Sequence, residues 1–152
     1  MDQMSEDDKR FYKIAWDEAK KSLSENGVPV GAVLVKDGKI ISKGHNQRVQ
    51  KNNPIAHGEM DCIGRAGRQT SYKGMTLYTT LSPCMMCSGA IIQFKIPRLV
   101  IGENKNFKGN IEFLKKNGVE IIILNDDDSI TMMSKFINLH PELWDEDIQQ
   151  HE

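Results

Sequence analysis

MTLYTTLSPCMMCSGAIIQF, residues 75–94, is the stretch from which the architecture can be read. Residues 75–80 are rich in β-favouring side chains and read as a strand. Ser82 is a good N-cap and Pro83 a good first helical residue, so they open a helix that reaches about Phe94. Downstream the pattern repeats. Residues 99–102 and 119–124 are short apolar runs of the kind buried in α/β sheets, with a helix over 111–116 between them. Residues 130–139 form a further helix, and Pro141 starts a last, acidic one. Upstream, helix 57–67 follows a polar stretch, 46–56, that reads as a surface loop. Asp37-Gly38 is a two-residue hairpin signal between strands 30–35 and 40–44. Residues 5–23 place Phe11, Ile14, Ala15, Ala19 and Leu23 on one helical face, and Asn26-Gly27 ends that helix. A hairpin followed by alternating β and α units predicts an α/β fold: a mixed five-stranded sheet with helices on both faces, in three layers, α/β/α.

The chain has 152 residues, which fits one domain over 1–152, and there is no repeat or linker. It is 39% apolar and 27% charged, a globular composition. No apolar run approaches the ~18 residues of a membrane span. The start, MDQMSEDDKR, has neither secretory nor transit character, and three Cys is an odd count for a disulfide framework. A cytoplasmic protein that does not bind membranes is expected. The net charge of −1 conceals an asymmetry. Residues 43–116 carry 12 Lys+Arg against four Asp+Glu, whereas beyond Glu120 the acids dominate and Lys135 is the one basic residue. With a pI of 6.4, the expectation is that these segments neutralise each other in the fold and that nucleic acid is not a partner. Arg48 and Lys51 read as part of a solvated loop.

Two short motifs carry chemistry, His57-Gly58-Glu59 and Pro83-Cys84-Met85-Met86-Cys87. One imidazole and two thiols suit zinc. Cys84 and Cys87 are three apart, hence on one side of a helix start, where the dipole and free N–H groups favour thiolate. His57 also opens a helix, so two helix N-termini can converge on one metal. Three protein ligands leave a fourth tetrahedral position for water or hydroxide, the arrangement of catalytic zinc. Glu59 lies two residues beyond His57, where it can move protons. H-x-E…P-C-x-x-C is the pattern of zinc nucleobase deaminases, and every fixed position is present. A closed structural zinc ribbon would need a second Cys pair, but Cys62 is the only other cysteine and reads as helix core.

Along nearly its whole length the chain resembles the fungal-type cytosine deaminases of the cytidine deaminase superfamily. The resemblance is carried by GVPVGAVLV at 27–35, GHNQRVQKNN at 44–53, HGE at 57–59, LYTTLSPCMMCSGAII at 77–92, IPRLVIGENKNF at 96–107 and PELWDEDI at 141–148. It implies a cytidine-deaminase-like fold, a free-base substrate, one zinc per chain, a homodimer and a place in pyrimidine salvage. The C-terminal segment 141–152 would close the active site. His57, Cys84 and Cys87 would hold the zinc and Glu59 would shuttle protons. Asn46 would bond the pyrimidine carbonyl edge, and Asp147 would receive the exocyclic amine. Phe107 and Trp144 would wall the ring, and the backbones of Gly58 and Ser82 would add polar contacts.

The chain departs from that family at Met85, Asp145, Val30 and Val49. An Asp145 facing the pocket would favour a different ring, such as isocytosine, guanine or a triazine. A nucleic-acid deaminase and a non-catalytic zinc module are the more distant alternatives.

Overall fold

Asp37 and Gly38 both take positive φ, 49° and 76°, and turn strand β1 (Gly31–Lys36) into β2 (Lys39–His45). That is the demand of a type I′ hairpin, met by the two residues that tolerate it best. The computed structural model describes residues 4–149. Residues 1–3 and the last three of the expected closing segment, 150–152, lie outside the described residues. Helix α1 (Glu6–Ser24) precedes the hairpin. It is followed by α2 (Gly58–Ala66), β3 (Met75–Thr79), α3 (Met85–Phe94), β4 (Arg98–Ile101), α4 (Ile111–Lys116), β5 (Glu120–Ile123), α5 (Asp127–Leu139) and α6 (Pro141–Ile148). The sheet order is β2-β1-β3-β4-β5, antiparallel through β3 and parallel from β3 to β5. The expected mixed five-stranded sheet is what forms.

Period-two alternation sorts the strands' side chains into two cores. Ala32, Leu34, Leu77, Leu99 and Ile101 face Cys62 and Ile63 of α2, Ile91 of α3 and Leu114 of α4. Val33, Val35, Tyr78, Val100 and Ile122 face Phe11, Tyr12 and Ala15 of α1. Helix α5 lies beside α1, joined to it by a 2.5 Å bond between Tyr12 and Ser129 hydroxyls. Three layers result. A third cluster, with Val28, Val30, Leu81, Met133, Phe136 and Trp144, seats α6 beside the loops that leave β3 and β4. Among the described residues, no helix is long and apolar enough to cross a membrane.

Two expectations need correction. Helix α3 begins at Met85, so Ser82-Pro83 does not cap it; Cys84 is the N-cap, and its sulfur accepts the Cys87 N–H at 3.5 Å. Ser82 is instead tied to the β4–α4 loop through Glu103 and Lys108 carbonyls. Residues 46–48 are not surface loop either, since Asn46, Gln47 and Arg48 are all buried. Polar side chains stay inside when each finds a partner. The Asn46 carbonyl accepts from Ser22, Gln47 donates to Asp61, and Arg48 bonds the C-terminal helix. Residues 51–55 are exposed as expected.

Asp8 fastens α1 to the sheet. It forms a capping box with Ser5, takes both arms of Arg98 at 2.9 and 2.7 Å, and accepts from the Tyr78 hydroxyl at 2.5 Å. The Arg98 hydrogen bonds hold this carboxyl well below the usual carboxylate range despite its burial. A depressed native pKa means that the stabilisation is complete above about pH 4 and is lost as pH falls from there toward the lower native value. Asp8→Ala is expected to remove about 3 kcal/mol, because it strips Arg98 of its two-armed partner, leaving it only the more exposed Glu120, and takes away the acceptor of the buried Tyr78 hydroxyl. Urea unfolding at pH 7 measures the loss. The gap between wild type and variant should narrow in acid below about pH 4.

Candidate metal centre and active site

The chain leaves the C-terminal ends of β3 and β4 where an open α/β sheet places its ligands. The β3–α3 turn delivers Cys84 and Cys87, and α2 delivers His57 as N-cap and Glu59 in its first turn. His57 Nδ1 lies 3.5 Å from Cys84 Sγ. The three donor atoms of His57, Cys84 and Cys87 all fall within 4.8 Å of one another. Zinc bonds of ~2.0–2.3 Å at tetrahedral angles put ligand atoms about 3.5–3.8 Å apart, so these residues fit that ion in both softness and spacing. Cys62 takes no part; its thiol is buried against Ser42, and burial pushes it up to about 12.

The protonation states follow from the crowding. Cys84 is drawn down to about 4, chiefly by a hydrogen bond from the Cys87 thiol and, against the cost of burial, by the His57 ring. Cys87 donates to that sulfur in a dry site and is pushed well above the ordinary thiol value. Burial works against charge on His57, but Cys84 and Asp147 outweigh it and hold the imidazole at about 9. Glu59 is 3% exposed; burial, reinforced by the Cys84 charge, pushes it up to about 7. A carboxyl poised near neutral pH is what proton transfer in both directions requires.

Above these residues lies a small cavity of about 290 Å³, mouth included. Its lining contains Asn46, His57, Glu59, Ser82, Cys84, Phe107, Trp144 and Asp147, drawn from distant parts of the chain. Phe107 and Trp144 meet edge to face at 6.1 Å between ring centres. The Asp147 side chain is buried, its Oδ1 4.0 Å from His57 Nε2, and Asn46 Nδ2 donates to that same oxygen at 3.1 Å. The Ser82 N–H is committed to Glu103, which leaves its carbonyl as the backbone atom it can turn to a ligand. Gly58 stands outside the lining; its lack of a side chain allows close packing on Val30, whose carbonyl oxygen would lie 2.9 Å from an added Cβ.

Three further walls, Val30, Leu81 and Ile148, were absent from the sequence-based set. Ile148 had a readable signal, being four residues after Trp144 and so on the same helical face. Of the departures noted above, Val30 lines the cavity, whereas Asp145, Val49 and Met85 do not. Arg48 is the larger omission. Its charge complements the acidic C-terminal run, and the opposite charges of these two segments meet here, in contacts with Glu146 and Asp147.

The chain is similar to known deaminases over most of its length. The profile of the cytidine and deoxycytidylate deaminase zinc-binding region matches residues 5–103. A cytosine deaminase of Candida albicans is 49% identical over 148 residues, 95% of this chain and 99% of that protein. A tRNA-specific adenosine deaminase of Streptococcus pyogenes is 40% identical over 107 residues, and the matched region spans 68% of this chain and 63% of that protein. A solved structure from work on A-to-I editing by tRNA deaminases at the wobble position superposes with a TM-score of 0.66 at 29% identity, covering 76% of this chain and 97% of that one. The motif, the donor set and nearly full-length similarity converge: the chain belongs to the cytidine and deoxycytidylate deaminase family of zinc-binding proteins.

Proposed function

We propose that this protein is a zinc-dependent aminohydrolase that converts free cytosine and water to uracil and ammonia. The observation that carries the reading is the buried Glu59 beside three zinc-compatible donors, at the base of a small cavity walled by Phe107 and Trp144. The similarity to the Candida albicans cytosine deaminase supports the choice of base.

Zinc held by His57, Cys84 and Cys87 supplies Lewis acidity that lowers a water's pKa to about 7. The Glu59 carboxylate takes a proton from the attacking water and delivers it to the ring nitrogen next to the amidine carbon. It then carries the second proton to the departing amine, so ammonia leaves and the ring carbonyl forms. Asn46 Nδ2 has a second hydrogen beyond the one given to Asp147, and it donates that hydrogen to the ring carbonyl. Asp147 accepts from the exocyclic amine. Phe107 and Trp144 hold the ring edge and face and keep bulk water out, with the Ser82 backbone carbonyl completing the polar contacts; Gly58, outside the lining, serves the close packing of α2 on Val30 instead.

Residues 1–152 form one catalytic domain in this reading, with the C-terminal helix as the cover of its site. The expected homodimer has support in α3, MMCSGAIIQF, of which only Cys87, Ser88 and Ile91 are buried. Met85, 59% exposed, shares one side of the helix with exposed Gly89 and half-buried Ile92, an apolar face suited to a second copy. A cytoplasmic enzyme of pyrimidine salvage is the setting that goes with this substrate.

The competing rings lose their motive, since Asp145 and Val49 lie outside the lining. A nucleic-acid substrate fits poorly, because α6 covers the cavity and Arg48 is spent on α6. The test is a panel of cytosine, isocytosine, guanine, cytidine and a tRNA anticodon stem-loop, assayed by ammonia release. Cytosine should be the best substrate. Preference for any other member would replace it, and salt-sensitive retention of the stem-loop would favour the polynucleotide reading.

A further inference from the structure

Arg48 occupies the turn after β2 and is 8% exposed, yet all three of its guanidinium nitrogens donate into one element. Nε donates to Asp147 Oδ1 at 2.9 Å, Nη2 to the Leu143 carbonyl at 2.9 Å, and Nη1 to the Glu146 carboxylate. All three acceptors belong to α6. The backbone of the same residue acts on the opposite wall. Its N–H donates to Asn46 Oδ1 at 3.0 Å, which fixes the orientation of the amide and turns Nδ2 toward Asp147 and the cavity. Asn46, Arg48 and Asp147 thus close a ring of hydrogen bonds around one end of the pocket.

We propose that Arg48 is a positioning residue for the reaction: it docks the C-terminal helix over the pocket and aims both Asn46 and Asp147 at the substrate. For what Asp147 touches, this rests on the cytosine reading above.

Other anchors of α6 do not aim these groups. Leu143, Trp144 and Ile148 pack against Phe107, Met133 and Phe136, a non-directional contact that leaves a helix free to slide. His140 alone separates α5 from α6, so that junction fixes where the helix begins but not how deeply its far end sits. Among the described residues, the side-chain hydrogen bonds that reach α6 from beyond its own caps are one from Asn46 Nδ2, to Asp147, and three from the Arg48 guanidinium, which alone of the two also ties Leu143 and Glu146. A buried carboxylate needs partners that both neutralise it and hold it still, and a planar guanidinium does both. Lysine carries the charge but lacks the fork. Without the side chain, α6 keeps its apolar seat but Asp147 loses its aim, while Glu59 and the metal ligands stay in place on α2 and α3. The loss should therefore appear in KM more than in kcat.

The experiment uses the full-length, zinc-loaded protein with Arg48→Gln and Arg48→Lys. Three readouts are taken: zinc content, hydrogen exchange along the backbone, and KM and kcat with cytosine. In Arg48→Gln, exchange over residues 144–148 should rise about tenfold or more with the sheet unchanged. Its KM should rise about tenfold or more, kcat should move by less than about threefold, and zinc should stay at the wild-type level. Arg48→Lys should fall between the two proteins. In a third variant, Arg48→Ala, added guanidinium ion should lower the KM, and it should leave wild type unaltered. Unchanged exchange over 144–148 overturns the proposal, as does loosening of the sheet and α6 alike, which would mean a general structural role. If wild type does not turn over cytosine, the functional reading fails by itself, and exchange at 144–148 still decides whether Arg48 docks the helix.

Discussion

Glu59→Gln is expected to bind zinc as wild type does and to lose about a thousandfold or more of its cytosine turnover. Glutamine has nearly the same shape, so the buried position and the start of α2 are preserved. What disappears is a buried carboxyl beside the metal's donor set, and outside it, that can take and return a proton. General acid–base groups contribute about 10²–10⁴ in rate, and Glu59 is asked to act on both the water and the leaving amine. Its environment fits that demand, because burial has already raised it to about 7. Metal analysis beside steady-state kinetics checks the prediction. A variant that keeps its zinc and most of its turnover would remove Glu59 from the mechanism.

The second large effect concerns Cys87. Cys87→Ser should weaken zinc binding by about a thousandfold or more, because a serine hydroxyl does not give up its proton as a thiol does. The residue is fully buried on α3, so no solvent ligand can easily replace it. In the metal-free chain its proton bonds Cys84 and its pKa is well above the ordinary thiol value. Zinc uptake must displace that proton and the one that keeps His57 charged, so wild-type affinity should rise as pH increases toward about 9. Native-state zinc also stabilises the fold by mass action, so the variant should melt at a lower temperature in zinc-containing buffer. Competition with a chromophoric chelator from pH 6.5 to 8.5 measures affinity and slope together. A Cys87→Ser protein with unchanged zinc affinity would take this sulfur out of the donor set.

Much of the fold was legible because local chemistry and tertiary structure agree. Asp37-Gly38 turns the hairpin at positive φ, and Asn26 ends α1 in the left-handed region, φ 68°. The alternation of Leu77/Tyr78 and Leu99/Val100 sorts side chains to the two faces of the sheet. The metal trio was legible because its spacing places both cysteines at one helix start. The start of α3 was misread because Ser82-Pro83 offers a conventional cap, and nothing local reveals that a sulfur needed for the metal also serves as N-cap. The burial of residues 46–48 was hidden for a different reason. A polar run reads as solvent-exposed unless its partners are known, and Arg48 finds Asp147 from 99 positions away. Composition did register the acidic end meeting the basic middle, but without the fold it could not say that Arg48 was the residue at the junction.

The central claim is that this metal centre and this cavity together deaminate cytosine. The most direct measurement is ammonia release from free cytosine at neutral pH by protein whose zinc content has been determined. The account predicts one zinc per chain, and uracil and ammonia formed in equal amounts over many turnovers. Full zinc occupancy with no ammonia from cytosine would contradict it.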